Sequence, residues 1–301
     1  MRRFAGVAVA VMLVALLLCL CACSTEDYPE WAFDSLRQQD ATRADGTDVR
    51  IMSVNMLVHM ESWGGTPVPH RAQMADEFFA HYSPDAVALQ ELCGDWYKYL
   101  SDRIEGEYAF LHEGKTKTNI IYSADRLTVV DSGYFEYSQK DNSGCRAVAW
   151  GVFETAEGER FALTSTHFDL GTEENKVRYR SSQIRELAAK MDEIVEEYGC
   201  PVFAAGDYNV LENEDYGEGS NYGDILSVTG AEDVKYSDGV RVVCDEGFVE
   251  EHSDNLWDHI FMEGVGATPL RFEIVTAPFF DESKGLAMTD HYPIFCDIAL
   301  S

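Results

Sequence analysis

Positive charge is scarce in this chain of 301 residues: 23 Lys and Arg face 53 Asp and Glu, a formal net charge of -30. That balance excludes a broad basic surface of the kind that grips a polyanion, while leaving room for a local basic cleft. Most of the acids are expected to form a solvated surface. CxxC spacing is also missing. Beyond the N-terminal segment the cysteines are Cys93, Cys145, Cys200, Cys244 and Cys296, scattered and odd in number. This excludes a clustered zinc site and leaves disulfide pairing unreadable. No internal repeat and no aromatic-rich hairpin for membrane insertion is present. The 46% hydrophobic content is ample for one sizeable core.

The N-terminus reads "MRRFAGVAVAVMLVALLLCLCACS". Arg2 and Arg3 form a positive flank, and Phe4 to Leu20 an apolar helix-forming run, which is the pattern of a secretion signal or membrane anchor. "LCAC" resembles a bacterial lipobox, so residues 1–22 are expected to be a lipoprotein signal peptide and Cys23 the lipidated residue. Cys21 fits less well because Leu20, not a small residue, precedes it. The alternative is an uncleaved anchor, since the run approaches the roughly 20 residues that a spanning helix needs. Either way the rest of the chain is expected outside the cytoplasm, held to a membrane. Residues 23–47 show no sustained period and read as a tether, which leaves 48–301 for a single domain, expected to be a monomer.

Strands are expected at 49–57, 85–92, 118–123, 127–138, 147–154, 161–170, 201–205, 257–263, 272–277 and 291–300. Helices are expected at 71–83, at about 94–105, at 175–198 and near "YGDILSV". Many of the strands are apolar throughout, which suggests two packed sheets with helices outside.

One stretch, "PVFAAGDYNV" (201–210), ends an apolar run on a glycine, a carboxylate and an amide. Gly206 is expected to turn the backbone, with Asp207 and Asn209 one period-two step apart. By itself this could be an Asx-rich turn. The pattern recurs, however. Strand edges also carry Asn55, Glu91, His167 with Asp169, Asp258, and Asp290 with His291. Six polar strand ends are most simply explained if they converge on one cleft. Its oxygen-rich inventory suits a hard divalent cation, and histidines beside it suit proton transfer or charge stabilisation. That combination belongs to phosphoryl transfer.

In order along the chain, "SVNML", "RAQMADEFFAHYSPDAVALQEL", "STHFD", "GDYN", "WDHIF" and "TDHYPIF" resemble the motifs of the endonuclease/exonuclease/phosphatase (DNase I-like) superfamily. The resemblance runs from about Val49 to Leu300. It implies an α/β four-layer sandwich, two mixed sheets flanked by helices, with a Mg²⁺ or Mn²⁺ site. It further implies that Glu91 is the principal metal ligand with Asn55 beside it, and Asp290 another. Asp207 would activate the attacking water or bind metal, and Asn209 would orient Asp207 or the phosphate. His167 would donate to a phosphate oxygen. His291 would be a general base or metal neighbour, and Asp258 would orient a histidine. Arg146 resembles a family arginine that contacts phosphate, with a salt bridge as the competing role. Arg180 and Gln183 fit an "RxxQ" helix pattern and are expected to pack and cap. His59, His70, His81, His112, His252 and His259 match no catalytic position.

One departure stands out. The nuclease branch often pairs the catalytic histidine with a Glu just before the strand equivalent to "NIIYS", but "GKTKTN" supplies no acid and Glu113 is the nearest. The implied activity is therefore a metal-dependent phosphodiesterase or phosphatase on a small or headgroup-type substrate. A secreted nuclease is the alternative, and a non-catalytic binding lipoprotein the third possibility. The loop "LENEDYGEGSNYGD" carries five acids and no base, a poor lining for nucleic acid, although Lys115, Lys117 and Arg146 could form a local groove.

Overall fold

A computed structural model describes residues 33–58, 67–92, 94–114, 116–141, 146–244, 256–276 and 288–301. The expected signal peptide, Cys23, Lys115, Cys93, Cys145, His59 and His252 lie outside these residues. Among the described residues no helix is long and apolar enough to cross a membrane. The buried cysteines Cys200 and Cys296 are free thiols.

The strands are β1 (Val49–Asn55), β2 (Ala86–Gln90), β3 (Ala109–Phe110), β4 (Asn119–Tyr122), β5 (Leu127–Glu136), β6 (Ala147–Thr155), β7 (Arg160–His167), β8 (Val202–Asp207), β9 (Glu232–Asp233), β10 (Arg241–Val243), β11 (Asp258–Glu263), β12 (Ala267–Ile274) and β13 (Ile294–Leu300). The α-helices are α1 (Val68–Tyr82), α2 (Gly94–Ile104), α3 (Glu174–Tyr198) and α4 (Tyr222–Thr229). One sheet has the order β10-β12-β13-β1-β2-β4-β3 and the other β5-β6-β7-β8-β11-β9. Every longer element expected from the sequence is present. The short strands β3, β9 and β10 were not anticipated, being too brief for any period to register.

Layering follows from the side-chain alternation. Ile51, Ala88, Ile120 and Ile298 from one sheet meet Phe153, Leu163, Phe203 and Ile260 from the other, forming the central core. The opposite faces are covered by helices: Met52, Val54 and Leu89 by Phe78, Phe79 and Trp96, and Val148, Val202 and Ala204 by Ile184, Leu187 and Met191. Strands clad on both sides are apolar at both parities, which is why their sequences run apolar rather than alternating.

Residues 33–47, expected to belong to a tether, pack against this body instead. Phe33 and Leu36 are buried in the core beside α1. The Arg43 guanidinium donates to Asp85 Oδ2 at 2.7 Å, and Arg50 and Arg271 donate to carbonyls of residues 40–42. Sequence periodicity could not show this, because the segment is held by single apolar anchors and by backbone carbonyls.

Gly206 also behaves differently from expectation. It does not turn the chain but continues β8 opposite Thr166 of β7. A Cβ there would meet the Thr166 carbonyl oxygen at 2.1 Å, so only glycine permits that approach. The neighbouring register pair is His167 with Asp207. Gly206→Ala is therefore expected to push β7 and β8 apart, lowering stability by roughly 1–3 kcal/mol and kcat as well. Unchanged kcat and unfolding midpoint would refute this.

Candidate active site

Topology brings the polar strand ends together. β1 and β2 run parallel, as do β7 and β8, so Asn55, Glu91, His167 and Asp207 follow the carboxyl ends of four strands at one edge of the sandwich. β11 is antiparallel to β8, with Asp258 opposite Asp207. β13 is antiparallel to β1, so Asp290 and His291, which precede it, arrive at the same edge.

Asp207 is the hub. Its Oδ2 lies 3.0 Å from Asn55 Nδ2, 3.2 Å from His167 Nε2 and 3.9 Å from His291 Nε2, while Oδ1 accepts from the Asn209 amide at 2.9 Å. Burial pushes its carboxyl up, but the His167 charge and hydrogen bond, with His291 and the Asn209 amide, outweigh this. They hold Asp207 well below the usual carboxylate range. Glu91 Oε1 lies 3.4 Å from Asn55 Nδ2, and Oε2 accepts from the Val58 amide at 2.6 Å. Glu91 also has φ +55°, a left-handed conformation that non-glycine residues adopt at a cost of about 1–3 kcal/mol. Such strain persists where the surroundings impose it, here to aim a carboxylate. Ligand atoms of Glu91, His167 and Asp207 all come within 4.8 Å of one another.

His291 sits between acids. Its Nδ1 bonds Asp258 Oδ2 at 2.5 Å, so Asp258 fixes the orientation of the ring, leaving Nε2 3.4 Å from Asn55 Nδ2. Burial pushes this imidazole down, yet Asp258, Asp207 and Asp290 together lift it to about 10. Asp290, expected to be a second metal ligand, does not join the Glu91 cluster. Its side chain stays 41% exposed, with Oδ1 4.0 Å from His291 Nε2. Asn209 also parts from Asp207. With φ +52° it has left the strand, and its Nδ2 donates to the Phe168 carbonyl at 2.9 Å. It orients Asp207 through its backbone amide and buttresses the chain after His167.

Arg146 immediately precedes β6, and the pairing of Val148 with Thr166 carries it to the same edge. It is buried, yet among the described residues Nε and Nη1 have no hydrogen-bonding partner. Its nearest acid, Asp169, is 3.8 Å away and already engaged by Lys176 at 3.0 Å and Gln183 at 2.6 Å. Arg180 and Gln183 pack as expected. Arg180 donates to the carbonyls of Asp169 and Gly171, and Gln183 Oε1 accepts from the Asp169 amide, pinning the segment after His167. Among the described residues, the buried His167 Nδ1 has no hydrogen-bonding partner.

Two supports escaped the sequence reading. Thr289 Oγ1 donates to the Asn55 carbonyl and accepts from the His291 amide, tying β1 to the histidine. Beneath the site, Gln90 Nε2 donates to Ser165 Oγ at 3.1 Å, joining the two sheets. For Gln90 and Ser165, polar residues within otherwise apolar strands were the available signal; Thr289 lies outside any strand and offered none. A second acid cluster, Glu212, Asp233 and His259, also lies within 4.8 Å. The Lys235 ammonium contacts Glu212 Oε1, and His259 is bonded to Asp233 Oδ2 and the Val210 carbonyl, so an internal lysine already supplies the cation there.

The donor set at Glu91 fits Mg²⁺ or Mn²⁺. It offers the carboxylate oxygens of Glu91 and Asp207, and Mg²⁺ uses one or two carboxylates while keeping several waters. Asn55, expected as a ligand, instead turns its Nδ2 to both carboxylates and its Oδ1 to the Leu57 amide. Together the edge offers carboxylates for a hard cation and unsatisfied donors for an anion.

No family model matches the chain, and no curated protein does. Solved structures do. An endonuclease/exonuclease/phosphatase from Bacteroides vulgatus has a TM-score of 0.67 at 21% identity, covering 84% of this chain and 99% of that one. A Bacteroides thetaiotaomicron mannosyl-6-phosphatase has a TM-score of 0.67 at 18% identity, covering 83% and 99%. The human Nocturnin catalytic domain has a TM-score of 0.62 at 17% identity, covering 89% and 99%. With its two mixed sheets, flanking helices and convergent strand ends, the chain has the endonuclease/exonuclease/phosphatase, or DNase I-like, fold.

Proposed function

We propose that the chain is a metal-dependent phosphoester hydrolase acting on a small or headgroup-type substrate, held outside the cytoplasm by a lipid on Cys23. The observation that carries the reading is the pairing, at one edge, of the Glu91 and Asp207 carboxylates with buried donors that lack partners, Arg146 and His167 Nδ1. Solvated surface clusters do not leave a guanidinium buried and unsatisfied, because that costs free energy unless an anion completes it. One of the structurally similar proteins is a mannosyl-6-phosphatase, which supports the reaction class. The N-terminal lipobox supports the location.

Glu91 and Asp207 would hold the divalent cation, with the Asn55 amide donating to both carboxylates. When bound, that cation neutralises charge on the phosphoryl oxygens. Arg146 would bind a non-bridging oxygen. Asp207, kept ionised, would accept a hydrogen bond from the attacking water and orient its oxygen toward phosphorus. His167 and His291, both against Asp207, would donate to the phosphoryl oxygens as charge develops, the role in which fixed donors contribute most. Bond formation from water to phosphorus accompanies cleavage of the phosphorus–ester oxygen bond; the water gives up its proton to solvent, and the departing oxygen takes one up from solvent.

Purified protein should hydrolyse small phosphoesters better than plasmid DNA at physiological salt. Activity should vanish with EDTA and return with Mg²⁺ or Mn²⁺. Undiminished turnover in excess chelator would overturn the metal assignment, and a higher kcat/KM for plasmid would overturn the substrate class.

A further inference from the structure

We infer that Trp257 is a substrate-stacking platform and that, with the acidic loop after Asn209, it selects a phosphoester whose alcohol is a hydroxylated ring of the hexose type. This rests on the hydrolase reading above and names its substrate class. Trp257 immediately precedes Asp258, and its ring centroid lies 5.8 Å from that of His291 at an interplanar angle of 53°. It nonetheless stays 43% exposed. A large indole beside the reacting edge, open to solvent, is where the alcohol portion of an ester held by Arg146 and His167 would lie.

The residue is anchored through its backbone. The Tyr208 amide donates to the Trp257 carbonyl at 2.8 Å, next to the Asp207–Asp258 register pair. The indole, whose only polar atom is a donor, acts on the Tyr216 hydroxyl and partly offsets the rise that burial causes in its pKa. Tyr216 is itself buried. Its hydroxyl donates to Glu214 Oε2 at 3.0 Å and accepts from the Leu211 amide at 3.2 Å, and the Arg180 guanidinium lies 5.1 Å from its ring centroid. Asn221 and Asp224 close the loop with a capping box at the start of α4. Trp257 thus presents an exposed aromatic face beside His291, with Tyr216 and its partner Glu214 on the neighbouring loop.

That pairing selects chemistry. An aromatic face takes either a sugar's apolar C–H face or a nucleobase. Glu214, Asp215 and Glu218 are exposed on this loop and, when ionised, only accept hydrogen bonds. Every hydroxyl of a hexose can donate to them, whereas a base edge presents acceptors that would face negative charge. A polynucleotide would bring further phosphates to the same acids.

The test compares kcat/KM, with Mg²⁺, for glucose 6-phosphate, ring-less glycerol 3-phosphate and AMP. Wild type should prefer glucose 6-phosphate over glycerol 3-phosphate by roughly tenfold or more, the scale of one well-fitted apolar contact. Trp257→Ala should erase most of that ratio, Trp257→Phe should keep much of it, and Tyr216→Phe should raise KM for the hexose ester more than it lowers kcat. If Trp257→Ala scales the glucose and glycerol esters equally, the residue is merely structural and the inference falls. AMP preferred over glucose 6-phosphate in wild type would also overturn it. Hydrolysis of none of the three would count against the hydrolase reading, and a fluorescence titration with glucose 6-phosphate then decides the inference alone. Saturable quenching that Trp257→Ala abolishes supports it, and no quenching overturns it.

Discussion

Replacing His167 with alanine is expected to lower kcat by about 10²-fold or more, the usual scale for removing one donor that acts on developing charge. Its Nε2 lies 3.2 Å from Asp207 Oδ2, and its Nδ1 has no partner among the described residues. A histidine kept for packing would be satisfied at both nitrogens, as His259 is by Asp233 and the Val210 carbonyl. The fold should survive, because Asp207 keeps Asn55 and the Asn209 amide. Circular dichroism melting alongside single-turnover kinetics separates the two roles. A variant that melts far earlier but retains its kcat would make His167 a core residue. Glutamine at this position should recover little, since it cannot donate from the same place without disturbing Asp207.

The second large effect concerns stability at the opposite end of the same strands. Arg50 is fully buried in β1 and meets Asp297 of β13 in a bidentate pair, at 2.6 Å and 2.9 Å. Its remaining donors reach the carbonyls of Ala41, Tyr82 and Thr42, and its guanidinium lies 4.4 Å from the Phe295 ring centroid. Arg50→Met would strand the Asp297 carboxylate without water or its guanidinium partner. We expect a loss of about 3–5 kcal/mol, the range for breaking one side of a buried pair. This is a large part of the roughly 5–15 kcal/mol available to a domain. The double variant Arg50→Met with Asp297→Leu should recover most of it, since no charge is then left alone. Urea midpoints for the three proteins read this directly. A single-variant loss below about 1 kcal/mol would show that the pair adds little.

Much of the architecture was legible because its signals are local. Apolar runs bounded by turn residues located β1, β2, β6, β7, β8, β11 and β13, and the 3.6-residue period of Ile184, Leu187, Met191 and Ile194 located α3. Polar residues at strand edges marked Asn55, Glu91, His167, Asp207, Asp258 and His291, since an apolar strand needs no carboxylate for its own sake. The order of these motifs sufficed to expect the sandwich.

What needed the tertiary structure was everything set by a partner distant along the chain. No sequence period reveals that Gly206 serves the Thr166 carbonyl, or that Thr289 joins Asn55 to His291, because each depends on which strands become neighbours. The left-handed backbone at Glu91 and Asn209 separated the carboxylate that joins the cluster from the amide that props it. Asp290 shares a motif with His291, yet only the path of the chain into β13 left it at the open mouth. Charge composition likewise gave the sign of the surface but not the whereabouts of its exceptions. Arg146 lies buried beside an occupied acid, and Lys235 closes an acid cluster that composition alone would offer to a metal. Hydrogen bonds and ion pairs are decided at about 3 Å. A linear pattern records which groups exist, and only the packing of sheets and helices brings them within that distance.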